Sequence, residues 1–113
     1  MSVIQDLAVR QLAAYNSADL AGFVACYHPD VVVFDGMQES LRGRSAFEER
    51  YRDLFENWRF GAVVSERFTL DGQCFDHERW WRISPESGLK TEGVVVVRYE
   101  VKEGLIGVAQ FFR

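Results

Sequence analysis

Apolar positions along this chain recur first with the spacing of helices and then with that of strands, and the change falls near Phe60. Ile4, Leu7, Ala8, Leu12 and Tyr15 lie three or four residues apart, so residues 3–15 read as an amphipathic helix. Ser2 is placed to cap it, and Asp6 puts a carboxylate near the positive end of the dipole. Gln11 interrupts the apolar stripe; it either faces a polar cavity or lies at the stripe's edge. Asn16-Ser17-Ala18 breaks the helix. Ser17 is placed to cap a second one, with Leu20, Phe23, Val24 and Tyr27 on its apolar face and Pro29 at its end. A third helix is expected over residues 46–58, where Phe47, Tyr51, Leu54, Phe55 and Trp58 recur and Ser45 with Glu48 spells a capping box.

The remaining segments are β-branched and aromatic. Val31 to Phe34 form a short buried strand, Asp35-Gly36 a turn, and Gln38 to Arg42 a second short strand. Beyond the third helix come Phe60 to Leu70, an Asp71-Gly72 hairpin turn, Gln73 to Ile83, a loop at Ser84 to Gly88, Lys90 to Val101, a turn at Lys102 to Gly104, and Leu105 to Phe112. Consecutive hairpins make a mainly antiparallel sheet. Three helices ahead of such a sheet must cover one of its faces, so residues 1–113 are expected to be a single α+β domain.

Composition narrows the function. Of 113 residues, 48% are hydrophobic and 14% aromatic, with nine Phe, four Tyr and three Trp. That aromatic content exceeds what a core of this size usually holds, and it suggests an aromatic-lined cavity or an apolar association face. The net charge of −4 and the lack of a basic run argue against nucleic acid or anionic membrane as partners. The N-terminal residues lack a signal-peptide pattern, and no apolar stretch approaches the roughly 20 residues of a membrane span. Cys26 and Cys74 have no metal-type spacing and read as free buried thiols, so the expected setting is cytoplasmic. No metal site and no cofactor are expected: His28 and His77 stand far apart, and no glycine-rich phosphate loop or serine elbow occurs.

Two positions draw attention as chemistry. Asp35 ends an apolar strand, where an isolated carboxylate is costly to bury; it either opens a turn with Gly36 or is the reactive group of a pocket. Strand alternation then concerns Phe75 to Arg82. If Phe75 faces the helices, so do His77, Arg79 and Trp81, with Asp76, Glu78, Trp80 and Arg82 outside. On that register Val95, Val97 and Tyr99, and later Ala109, Phe111 and Arg113, also face inward. His77 would then be an acid, a base or a carboxylate orienter. The competing reading is a structural or surface histidine. Arg79 would pair with an acid or a ligand anion, and His28 is a turn residue.

Helix, helix, Tyr27-His28-Pro29-Asp30-Val31-Val32-Val33-Phe34-Asp35-Gly36, Gly43-Arg44-Ser45, helix and a meander of long strands together resemble the NTF2-like, SnoaL-like superfamily, which includes ketosteroid isomerase, scytalone dehydratase, limonene epoxide hydrolase and polyketide cyclases. The resemblance spans nearly the whole chain. It implies a cystatin/NTF2-like cone, with three helices in the concave face of a curved sheet, a deep apolar pocket and dimers formed through the outer sheet face. Laid against ketosteroid isomerase, Asp35 falls on the general base and Tyr27 and Tyr51 on pocket tyrosines. The two oxyanion donors fall on Gln11 and Val95, so the base would lack its usual partners.

Three functions stand as expectations. One is a cofactor-free isomerase, lyase or cyclase, with Asp35 and His77 catalytic. Gln11, Tyr15, Tyr27, Tyr51, Phe55, Trp58, Phe75, Arg79, Trp81, Val95, Val97, Tyr99 and Phe111 would then line the site for a small hydrophobic molecule. The second is a non-catalytic binding pocket of the same make-up. The third is an association module, a homodimer through an outer face carrying Trp80 and Phe112.

Overall fold

A computed structural model describes residues 2–113. Helices α1 (Val3–Asn16), α2 (Leu20–Val24) and α3 (Arg44–Asn57) accompany strands β1 (Tyr27–Asp35), β2 (Gln38–Arg42), β3 (Arg59–Leu70), β4 (Gln73–Ile83), β5 (Lys90–Lys102) and β6 (Leu105–Phe112). The six strands form one sheet in the order β2-β1-β6-β5-β4-β3. Every pairing is antiparallel except that of β1 with β6. The architecture is α+β, with helices on one face of a mostly antiparallel open sheet.

Local chemistry explains most boundaries. The Ser2 hydroxyl accepts from the Gln5 backbone N–H and caps α1. Asp71 and Gly72 both take positive φ, as do Glu103 and Gly104, which suits the tight turns joining β3 to β4 and β5 to β6. Three expectations shift. The cap of α2 is Asp19, whose carboxylate accepts from Gly22 N–H, and Ser17 instead bonds back to the Ala13 carbonyl. Helix α2 stops at Val24, so Tyr27 opens β1 and Pro29 lies within that strand. Pro29 fits there because β1 pairs with neither neighbour between Tyr27 and Val32, so its missing N–H breaks no ladder bond. Helix α3 starts at Arg44 behind Gly43, which has φ of 94° and no side-chain cap, while Glu48 pairs with Arg52 rather than closing a capping box on Ser45.

The core lies between the helices and the inner sheet face. Ile4, Leu7 and Ala8 of α1, Phe23 of α2 and Phe47 of α3 pack over Val31, Val97, Ile106 and Ala109. Phe23 is its hub: the rings of Tyr15, Tyr27, Phe47, Tyr51 and Phe55 surround it at 5.1–5.7 Å. Each such aromatic contact adds roughly 0.5–1.5 kcal/mol beyond burial.

The largest correction concerns β4. Cys74, Asp76, Glu78, Trp80 and Arg82 face the helices, and Phe75, His77, Arg79 and Trp81 face the outer side, a register one residue from the expected one. Cross-strand partners share a face, and on β5 Tyr99, Val97 and Val95 stand opposite Cys74, Asp76 and Glu78. The hydrophobic pattern is ambiguous here because each face of β4 carries apolar residues. What permits the inward acids is compensation. Asp76, fully buried, accepts two hydrogen bonds from Arg67 on β3, at 2.6 and 2.8 Å. Phe75 stacks on Phe68 outside, with ring centroids 4.8 Å apart.

Candidate functional site

A cavity of about 140 Å³ lies between the helices and the inner sheet face. Helix α1 contributes Gln11, Leu12 and Tyr15; α2 gives Phe23, β1 Tyr27, and α3 Tyr51. The sheet contributes Ala62, Glu78, Trp80, Arg82, Val95, Tyr99 and Phe111, and Arg113 follows the last strand. Trp80 reaches its place because Gly93 on β5 has no side chain: a Cβ there would stand 2.8 Å from the indole ring.

A hydrogen-bonded chain runs along one wall. Gln11 Nε2 donates to the Ala8 carbonyl at 3.2 Å and to the Tyr99 hydroxyl at 3.1 Å, and Tyr27 donates its hydroxyl to Gln11 Oε1 at 3.0 Å. The Ala8 carbonyl can only accept, which fixes the amide's orientation and so the direction of the chain. Both amide hydrogens of Gln11 are therefore spent on protein. Neither is left to meet a ligand in this arrangement. The Tyr99 hydroxyl accepts from Gln11 and keeps its own hydrogen for the cavity. Burial raises Tyr27 and Tyr99 well above the ordinary phenol value, so both stay neutral donors.

Glu78 is the unusual group. The residue is 7% exposed and lines the cavity, and it forms no side-chain hydrogen bond among the described residues. Burial, first, and the nearby Asp76 carboxylate, second, push its carboxyl up to about 7, with the Arg67 guanidinium partly offsetting them. A carboxyl poised near neutrality can take or give a proton at physiological pH.

Asp35 lies on the helix-facing side at the end of β1, with its side chain 64% exposed and 3.4 Å from Arg113 Nε. It lines a second cavity, of about 300 Å³, with Val33, Phe34, Ser40, Arg50 and Leu54. The two cavities share Tyr51, Arg82, Phe111 and Arg113. Asp35 and Glu78 are thus candidate acids on two sides of one partition.

Of the expected site residues, Gln11, Tyr15, Tyr27, Tyr51, Val95, Tyr99 and Phe111 line the first cavity. Phe55 and Val97 pack in the core behind it. Trp58 ends α3, donates to Asp53 and lines a surface cleft. His77 is exposed on the outer face and bonds Ser65 through Nδ1; Phe75, Arg79 and Trp81 share that face, so none of these four reaches the cavity. Glu78, Trp80 and Arg82 were expected outside and lie within. Among the described residues no group of three or more His, Cys, Asp or Glu could hold a metal, and no helix is long and apolar enough to cross a membrane.

The sequence matches the model of the SnoaL-like domain over residues 8–108. The chain belongs to the SnoaL-like family. No curated protein matches it. Three solved structures are similar to this SnoaL-like domain across its full length, each at an identity that speaks for the fold alone. Δ5-3-ketosteroid isomerase from a Mycobacterium species is 18% identical with a TM-score of 0.89, and 94% of that chain is covered. A Mycobacterium tuberculosis protein in complex with estradiol-17β-hemisuccinate is 17% identical with a TM-score of 0.89, at 95% coverage. A putative SnoaL-like polyketide cyclase from Mesorhizobium loti is 20% identical with a TM-score of 0.75, at 100% coverage.

Proposed function

We propose that this SnoaL-like domain binds a small cyclic carbonyl compound between the helices and the sheet and moves a proton on it, as a cofactor-free isomerase, lyase or cyclase does. The observation that carries the reading is Glu78: a buried carboxyl, held near neutrality and facing an aromatic cavity with no protein partner. Glu78 takes the proton beside the carbonyl, and the Tyr99 hydroxyl, already engaged by Gln11, donates to the oxygen that gains charge. The aromatic walls hold the ring and exclude water. The ligands and reactions named for the similar structures support a hydrophobic ligand of this kind without naming it. Asp35 as general base, which the likeness to ketosteroid isomerase implies, is the competing assignment, served from the adjoining cavity. Two buried free thiols support a cytoplasmic setting.

Exchange of α-hydrogens of single-ring ketones in heavy water, followed by NMR, separates the assignments. Exchange lost in Glu78→Gln and kept in Asp35→Asn supports Glu78; the reverse pattern assigns the base to Asp35. A ketone that binds without exchanging marks a binding pocket without catalysis.

A second reading concerns assembly. Val63, Phe68 and Val94 lie more than half exposed on the outer sheet face, with Phe112 nearby. That apolar band supports a homodimer through the outer face. Light scattering tests it: a dimer mass that Phe68→Arg reduces to a monomer supports it, and a monomer throughout excludes it.

A further inference from the structure

The second cavity carries a charge opposite to that of the chain. Around it stand the guanidinium groups of Arg50, Arg82 and Arg113 and one carboxylate, Asp35, in a protein of net charge −4. Two of the three cations have protein partners. Arg50 donates to the Ser40 hydroxyl and carbonyl, and Arg113 donates to Asp35. Arg82 has no carboxylate within ion-pair distance among the described residues, and its buried Nε has no hydrogen-bond partner. Its other recorded neighbours are the Tyr15 hydroxyl, with which its guanidinium interacts by charge and hydrogen bonding, and the Trp80 ring, 5.6 Å from the guanidinium carbon.

A buried guanidinium N–H without an acceptor is costly. Glu78 shares the strand face of Arg82 but lies four residues along it, roughly 13 Å between Cα atoms. The arginine therefore stands at the junction of the two cavities with one buried N–H that no protein acceptor meets. The first cavity, at about 140 Å³, is close in size to one that accepts a single benzene ring.

We infer that the ligand is a single-ring carboxylic acid whose ring carries the reacting carbonyl: the ring fills the aromatic cavity beside Glu78, and the carboxylate docks on Arg82, with Arg113 completing the cationic rim. This rests on the small-molecule pocket reading above and adds the charge that the ligand must carry. Guanidinium and carboxylate match in planarity and fork geometry, so the contact selects the ligand's orientation as well as its charge. With the anion fixed at Arg82, the opposite end of the molecule is the one presented to Glu78.

The test is calorimetric titration of the full chain with 4-phenylbutanoate and with 4-phenylbutanamide, which differ in charge and little in shape. Wild type should bind the carboxylate about tenfold or more tighter than the amide, the size of one hydrogen-bonded charge contact. Arg82→Gln should abolish that preference by weakening the carboxylate about tenfold and the amide by less, while Arg82→Lys should retain part of it. If Arg82→Gln does not fold, Arg113→Gln, at an exposed site, should still narrow the preference. Equal affinities in wild type, or a preference that survives Arg82→Gln, overturn the anion site and leave the pocket reading standing. Failure of both probes to bind overturns the two together.

Discussion

Replacing Glu78 by Gln should change how stability depends on pH, by an amount the structure sets. The carboxyl's ordinary value is 4.5, and the folded protein raises it to about 7, chiefly by burial. Between those values the folded protein keeps a proton that the unfolded chain has released. Folding stability therefore falls as pH rises through that window, and it is flat above it. A gap of about 2.5 pH units at about 1.4 kcal/mol each gives a loss of roughly 3 kcal/mol. Gln has nearly the same shape and no charge to acquire. Any packing penalty it brings is independent of pH and displaces the whole curve. The stability of Glu78→Gln relative to wild type should thus move in the variant's favour by about 3 kcal/mol between about pH 4.5 and about pH 8. For a domain of this size that is roughly 10 °C in melting temperature. Urea unfolding of both proteins at several pH values reads the difference directly. Parallel profiles, with a constant offset, would mean that Glu78 ionises in the folded protein as it does in the unfolded chain, and that its carboxyl is not raised by burial.

Other substitutions probe the rest of the account. Arg67→Met leaves Asp76 buried with its charge unpaired and should cost about 3–5 kcal/mol in urea unfolding, whereas pairing it with Asp76→Leu should recover much of that loss. Tyr99→Phe removes the donor that reaches the cavity; with a substrate in hand, turnover should fall about 100-fold while the melting temperature moves little by comparison. Gly93→Ala drives a methyl group into the Trp80 indole and should destabilise by about 1–3 kcal/mol, with weaker ligand binding, read by thermal shift with and without 4-phenylbutanoate. His77→Ala, on the outer face, should leave ligand affinity unchanged in the same titration.

Much of this was legible in the chain itself. Helix α1 and the long strands follow directly from apolar periodicity, and the Asp71-Gly72 turn sits where two strand patterns meet. Gln11 stood out as a polar group in an apolar stripe, Tyr99 as an inward position of its strand, and Tyr27 only through the likeness to ketosteroid isomerase; all three line the first cavity. The face of β4 was not. Phe75 and Trp81 on one side and Cys74 and Trp80 on the other give hydrophobicity no preference, and a one-residue slip exchanges His77 for Glu78. A signal was nonetheless present: a two-residue turn at Asp71-Gly72 sets Arg67 opposite Asp76, a cross-strand ion pair that can be buried only as a pair. Following it would have turned Glu78 inward. The pocket role of Arg82 depends on that same register and on a junction between two cavities, which no spacing in the sequence reveals.

The carboxyl poised near neutral pH in the cavity can be observed without any ligand. A carbon-13 NMR titration of the Glu78 side-chain carboxyl, assigned by its loss in Glu78→Gln, follows that one group. The expected midpoint is about 7. A midpoint near the ordinary 4.5 would contradict it and would remove Glu78 as the acid and base of this site.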